Sequence, residues 1–249
     1  MKDIPVFSCP DGIATLILRE VPFRGEGYIL VRGVFGTLEG LLAECAGFCR
    51  AAGAERLFAA GEADFSGYPA AIRIRERSAP RESLLPAPEA VRLVPVTEET
   101  AADWAREYNA RFRAVPAAES CSPAEERALA AGGEALWIWD GAERIGLGRV
   151  RGSELLAVAA LLPGAGERCV RALAAQCAGP EVRLTCAEEN TRAMRLYDRL
   201  GFSRGAEERV WFSIWGLQPG AAAGIINGGR KTAAGSASCR RLILNQKRV

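Results

Sequence analysis

The chain has 249 residues, a formal net charge of +2 and no histidine, long enough to bury a substantial core in one large or two small domains. Without histidine there is no Ser-His or Cys-His catalysis and no ordinary base near neutral pH, so acid/base chemistry falls to carboxylates, Tyr, Lys, Cys or water. No apolar run reaches the ~20 residues that span a bilayer, and residues 1–10 lack a basic start followed by an apolar stretch, so a soluble cytoplasmic protein is expected.

In chain order, residues 13–20 and 27–34 read as two strands of a meander. Residues 38–52 show helical spacing in Leu41, Leu42, Cys45, Phe48 and Cys49, and residues 56–59 read as a further strand. Cys45 and Cys49 share a helix face, but a zinc site without histidine would need two more thiolates. The eight cysteines therefore read as small core hydrophobes. Pro80, Pro86 and Pro88 among Ser, Arg and Glu mark a linker, placed at 83–90.

Residues 91–96 alternate as a strand, and Thr97 opens a helix to about residue 112. Ser122, Pro123 and Glu125 form an N-cap, a Pro at the first helical position and a Glu at the third, so another helix runs to about residue 131. Three strands follow at 135–139, 145–150 and 155–161, and Pro163-Gly164 begin a helix to about residue 178. Val182, Leu184 and Cys186 alternate with Arg183 and Thr185 as a half-buried strand. Asn190 then caps a short helix that Gly201 and Phe202 stop, and residues 210–215 form a last strand. Residues 216–249 hold six Lys and Arg and no acid, so the remainder carries 2 − 6 = −4 and gives no reason to expect nucleic acid. A P-loop reading of 224–232 fails, because Arg230 separates Gly229 from Lys231 and no strand precedes it.

The pattern N-x-x-A-x-x-L-Y-x-x-x-G-F in Asn190, Ala193, Leu196, Tyr197, Gly201 and Phe202 resembles the second acetyl-CoA motif of the GNAT family of N-acetyltransferases. The resemblance covers roughly residues 91–215. It implies an α/β fold, a GNAT-like mixed sheet flanked by helices over 91–217. A gapless slide of 127 residues (183 − 56) places Arg56 on Arg183 and Val31 on Val158, which suggests that 1–82 is a smaller, degenerate GNAT-like half-domain. Residues 218–249 are expected to be a disordered basic tail.

The same resemblance implies acetyl-CoA as co-substrate and direct acetyl transfer to a primary amine, small-molecule or peptide, with no nucleic acid or membrane partner and a homodimer allowed. The family's diphosphate loop, Gln or Arg then x-x-Gly-x-Gly, corresponds to Gly164-Ala165-Gly166. Backbone N–H groups freed at a helix start point at an anion there, and glycine lets its oxygens approach. Leu161 takes the Gln/Arg place, a departure that Arg168 is expected to offset. Val158, Ala160, Asn190 and Ala193 complete the implied cofactor contacts.

Tyr197 is the implied acid, since a phenol of pKa ~10 lies near a thiol leaving group. Holding an alkyl amine neutral at pH 7 costs about 4.6 kcal/mol, and Glu154 is the implied base. The alternative is a catalytically inactive acyl-CoA-binding or scaffold module, in which the departure at Leu161 has ended catalysis.

Overall fold

The computed structural model describes residues 5–86 and 88–214. The first half runs β1 (Val6–Cys9), β2 (Gly12–Ile17), α1 (Val21–Arg24), β3 (Glu26–Val34), α2 (Leu38–Ala51), β4 (Arg56–Gly61) and β5 (Ala70–Pro80). After a 3-10 turn at Arg81–Ser83 come β6 (Val91–Pro95), α3 (Glu98–Phe112), α4 (Pro123–Gly132), β7 (Ala135–Asp140), β8 (Glu143–Arg151) and β9 (Glu154–Ala160). The chain continues with α5 (Gly166–Gln176), β10 (Glu181–Ala187), α6 (Thr191–Arg199) and β11 (Ser203–Ser213). The expected basic tail lies outside the described residues, as does Trp215. No helix among the described residues is long and apolar enough to cross a membrane.

The 11 strands among the described residues belong to one mixed sheet, in the order β1-β2-β3-β4-β11-β5-β10-β9-β8-β7-β6. Two strand-helix-strand units recur in it. β3 and β4 are parallel partners joined by α2, and β9 and β10 are parallel partners joined by α5. The units match in detail. Arg56 N–H donates to the Gly25 carbonyl and Arg183 N–H to the Ser153 carbonyl, both at 2.9 Å. The first strands are therefore offset by 153 − 25 = 128 residues and the second by 183 − 56 = 127, so the second unit is one residue shorter between its two strands. Val31 thus corresponds to Ala159 rather than to Val158, and Glu26 corresponds to Glu154.

The centre of the sheet is an exchange. β5, from the first half, lies antiparallel between β10 and β11, its register against β10 running from Pro80↔Glu181 to Ile74↔Ala187. β11, from the second half, reaches back to β4 through Phe212↔Ala59 and Ser213↔Phe58. Arg77 of β5 is fully buried and donates through Nη1 to Asp198 Oδ1 at 2.7 Å and to the Phe202 carbonyl at 3.1 Å, so a strand of the first half braces α6 of the second.

Local chemistry fixes the helices. Ser122 Oγ accepts from Glu125 N–H at 3.3 Å while Glu125 Oε2 accepts from Ser122 N–H at 2.9 Å, a reciprocal cap for α4. Asn190 Oδ1 accepts from Ala193 N–H at 3.3 Å, and Gly201 at φ 84° lets Phe202 N–H return to the Tyr197 carbonyl at 3.0 Å, closing α6 at both ends. α5 buries Cys169, Val170 and Leu173 against one face of β8 and β9, and α3 buries Trp104 and Tyr108 against the other. The close approach of α5 depends on Gly148, where an added Cβ would strike Leu173 Cδ1 and stand 2.8 Å from the Ala157 carbonyl. Gly148→Ala is expected to cost about 1–3 kcal/mol, read as a lower denaturant midpoint at unchanged slope.

Candidate active site

β9 and β10 part company almost as soon as they meet. Among the described residues their only ladder partners are Glu154 and Arg183. Beyond that point the strands diverge, leaving the β10-facing edge of β9 without a ladder while its other edge stays paired to β8 through Gly148↔Val158 and Gly146↔Ala160. The slot between them opens into a cavity of about 1060 Å³. Val158 and Ala160 of β9, Thr185 to Ala187 of β10, Gly164, Gly166, Asn190, Ala193 and Tyr197 all line it.

At the end of the slot stands the start of α5. No side chain caps this helix, and Gly164 reaches it at φ 78°, where an added Cβ would meet nothing within 4 Å but would strain the backbone. The corresponding start of α2 is different. There Asp11 Oδ1 accepts from Thr37 N–H at 2.7 Å and from Thr37 Oγ1 at 3.2 Å, with Gly36 and Gly40 so close around the carboxylate that a Cβ on either would collide with it. The first half thus closes its helix start with its own carboxylate; the α5 start has no side-chain cap, and its first-turn acid, Glu167, is ion-paired with Arg171.

Tyr197 sits on the face of α6 that looks into the slot, 6% exposed, with its ring tilted 62° against Phe202 at 5.5 Å. No hydrogen-bond partner for its hydroxyl is found among the described residues. Burial raises its pKa well above the ordinary phenol value, Cys186 adds to the rise and Arg77 opposes it, so the phenol stays protonated. Burial likewise pushes the neighbouring Cys186 thiol up to about 11.

Three sequence expectations need correction. Glu154 is exposed at the closed end of the slot, where β9 and β10 still pair, among Arg151 and Arg183; it does not line the cavity. Arg168 is ion-paired with Asp140 and is also absent from the lining, so it brings no charge to the cradle. Ala165 is fully buried in the core, and its N–H donates to the Leu162 carbonyl at 3.3 Å. Helix α5 begins at Gly166, so the first-turn amides available to an anion follow Ala165 rather than include it.

Arg192, Arg195 and Arg199, not among the expected site residues, line the cavity along α6. Their spacing of three and four residues places them on one face, a signal that could have been read. Residues distant in the sequence complete the cavity wall. Ile17, Glu20 and Tyr28 from the first half, with Ile74 of β5 and Trp211 of β11, face the same cavity. Tyr28, Trp211 and Ala187 pack in one apolar cluster with Ile17, Ile74 and Ala117 against it.

No protein-family model matches the chain, and no curated protein sequence matches it. Solved structures do. A functionally unknown conserved protein of Staphylococcus epidermidis superposes with a TM-score of 0.55 at 12% identity, covering 86% of this chain and 94% of that one. A GCN5-related N-acetyltransferase from Kribbella flavida superposes with a TM-score of 0.51 at 12% identity, covering 83% of this chain and 58% of that one. This is the GNAT fold. A tandem GNAT protein from the clavulanic acid biosynthesis pathway aligns over 81% of this chain and 77% of its own at 12% identity, with a TM-score of 0.43. The first half repeats the strand-helix-strand part of the second, with its helix start closed by Asp11.

Proposed function

We propose that the protein is an acetyl-CoA-dependent N-acetyltransferase that moves an acetyl group directly to a primary amine, small-molecule or peptide, in a ternary complex. The observation that carries this reading is the meeting, in one cavity, of an open strand edge, an uncapped helix start and a buried phenol.

The residues present fit acetyl-CoA. The first-turn amides of α5 and the bare backbone at Gly164 suit a diphosphate, and Arg192, Arg195 and Arg199 bring the positive charge that Leu161 lacks. The open edge of β9 at Val158 and Ala160 offers backbone groups to an amide-bearing arm, and Ala193 leaves room beside it. Asn190 spends its Oδ1 on the cap of α6, so its amide nitrogen is the group left to face the slot. Acetyl-CoA would supply an acetyl group activated as a thioester, whose transfer to an amine nitrogen releases a thiol. Tyr197 holds, at its phenol oxygen, the proton that the released sulfur needs. Most of the remaining acceleration comes from holding amine and thioester together.

Removing Glu154 from the site leaves the amine proton to water in the open cavity. Glu154→Gln is therefore expected to leave kcat/KM for the amine within about twofold, with the rate rising tenfold per pH unit toward the pKa of an alkyl amine, ~10.4. A tenfold loss in that variant, read from initial rates, would restore Glu154 as base. Thiol release from acetyl-CoA over a panel of 2-phenylethylamine, spermidine and a peptide with a free N-terminus tests the activity itself. Acetyl-CoA binding without thiol release over a broad panel would select the non-catalytic binding module that Leu161, packed toward the α3 side of the sheet, also permits.

A further inference from the structure

The first half ends at the cavity with three charged side chains directed at one segment of the second half, the loop between α3 and α4. Glu20 is 3% exposed although it carries a carboxylate. Its Oε1 accepts from Ser120 N–H at 2.9 Å and its Oε2 from Ser120 Oγ at 2.7 Å. Arg24, with its side chain 4% exposed, donates through Nη1 to the Ala118 carbonyl at 2.7 Å and is ion-paired on its other side with Glu26 at 3.0 Å. Arg19 donates to the Ser120 carbonyl at 3.0 Å and to both oxygens of Glu125 at 2.8 and 2.9 Å. Burying this much charge is unfavourable unless each group finds its partner, and here the partners are Ala118 and Ser120 of one loop, completed by Glu125 at the start of α4 and Glu26 of β3.

What the loop does follows from where it lies. Residues 115–119 line the cavity that the slot opens into, and Ala117 packs against the apolar cluster of Tyr28, Trp211 and Ala187. Ala117 is held at φ 52°, the one positive φ outside glycine among the described residues. A non-glycine residue keeps that conformation only when its surroundings impose it.

We propose that the first half is the positioning element for the acceptor: Arg19, Glu20 and Arg24 clamp the crest of the α3–α4 loop as the wall against which the amine is held. This rests on reading the cavity as an acyltransferase site. The clamp sets the acceptor end alone, because none of its contacts reaches α5 or α6. These are positioning residues, acting through residues 115–120.

The test uses the full chain with Glu20→Gln, which keeps the size of the side chain, and Ser120→Ala, which removes a single hydroxyl and guards against a folding failure at the buried carboxylate. Hydrogen exchange of the amides of Val115 and of residues 117–120 is expected to quicken by about tenfold or more in Glu20→Gln and less in Ser120→Ala, with β8 to β10 unchanged. For 2-phenylethylamine or spermidine, whichever the unaltered protein acetylates, KM should rise by about tenfold with kcat and acetyl-CoA affinity each within about threefold. Unchanged loop exchange and unchanged amine KM in a protein that still binds acetyl-CoA would overturn the clamp alone. Failure of the unaltered protein to bind acetyl-CoA would overturn the functional reading and the role built on it.

Discussion

Tyr197→Phe is expected to lower kcat by about 10²–10⁴-fold, the range for loss of a positioned general acid, while acetyl-CoA affinity stays within about twofold. The ring packs edge-on against Phe202 and the hydroxyl has no partner among the described residues, so the variant keeps the packing and loses only the proton. Burial makes the phenol a weaker acid, which argues against easy donation. The same slot, however, acts on sulfur. Burial pushes the Cys186 thiol beside it up to about 11, so a thiolate released in the same surroundings is a stronger base too, which offsets part of the phenol's lost acidity. Because the phenol pKa is raised, the neutral form persists at all lower pH values, and no alkaline fall in kcat from Tyr197 is expected below pH ~10. Steady-state rates with saturating amine decide the matter. A loss under about threefold would remove Tyr197 from the chemistry, and a further fall on adding Cys186→Ala would move the acid to the thiol.

The parts of this site legible in the sequence are those whose cause is local. Asn190 as cap and Gly201 as left-handed stop define α6 within a few residues of chain, and the reciprocal cap of Ser122 and Glu125 does the same for α4. Tyr197 could be placed toward the slot once α6 had a start, since helical spacing fixes which face it shares with Ala193. Arg168 was misplaced because its partner, Asp140, lies 28 residues away at the end of β7. Glu154 was misplaced because the strands separate only after it, and the point of separation is a property of two strands together. Ala165 was assigned to the cradle by its place between two glycines, although the turn before α5 directs it into the core.

The largest omission was β5. Ile72 and Ile74 alternate with Arg73 and Arg75, so its period of two is present in the sequence, although no strand was expected between β4 and the linker. Nothing local says that such a strand will pair with two strands more than 100 residues further on. Without β5 neither the contribution of Ile74 to the cavity nor the brace at Arg77 follows from the sequence.

The exchange of β5 and β11 gives the second large effect. Residues 91–214 made alone are expected not to reach a folded monomer, whereas the full chain cleaved between residues 84 and 90 should stay together as one particle. Removing the first half takes β5 from between β10 and β11, leaving two central strands with unpaired edges of the kind that recruit other chains. It also strips the buried Ile72 and Ala79, of which the Ile alone is worth about 1.5–3 kcal/mol. Asp198 and the Phe202 carbonyl lose the guanidinium that ties the end of α6. Against a typical total stability of ~5–15 kcal/mol, loss of a central strand paired on both sides leaves no margin. Size-exclusion chromatography with near-ultraviolet dichroism separates the outcomes, and mixing in a 1–83 fragment should restore both the monodisperse species and acetyl-CoA binding. A stable monomer of 91–214 that binds acetyl-CoA unaided would mean that the second half closes its own sheet, and the role given to β5 would fall.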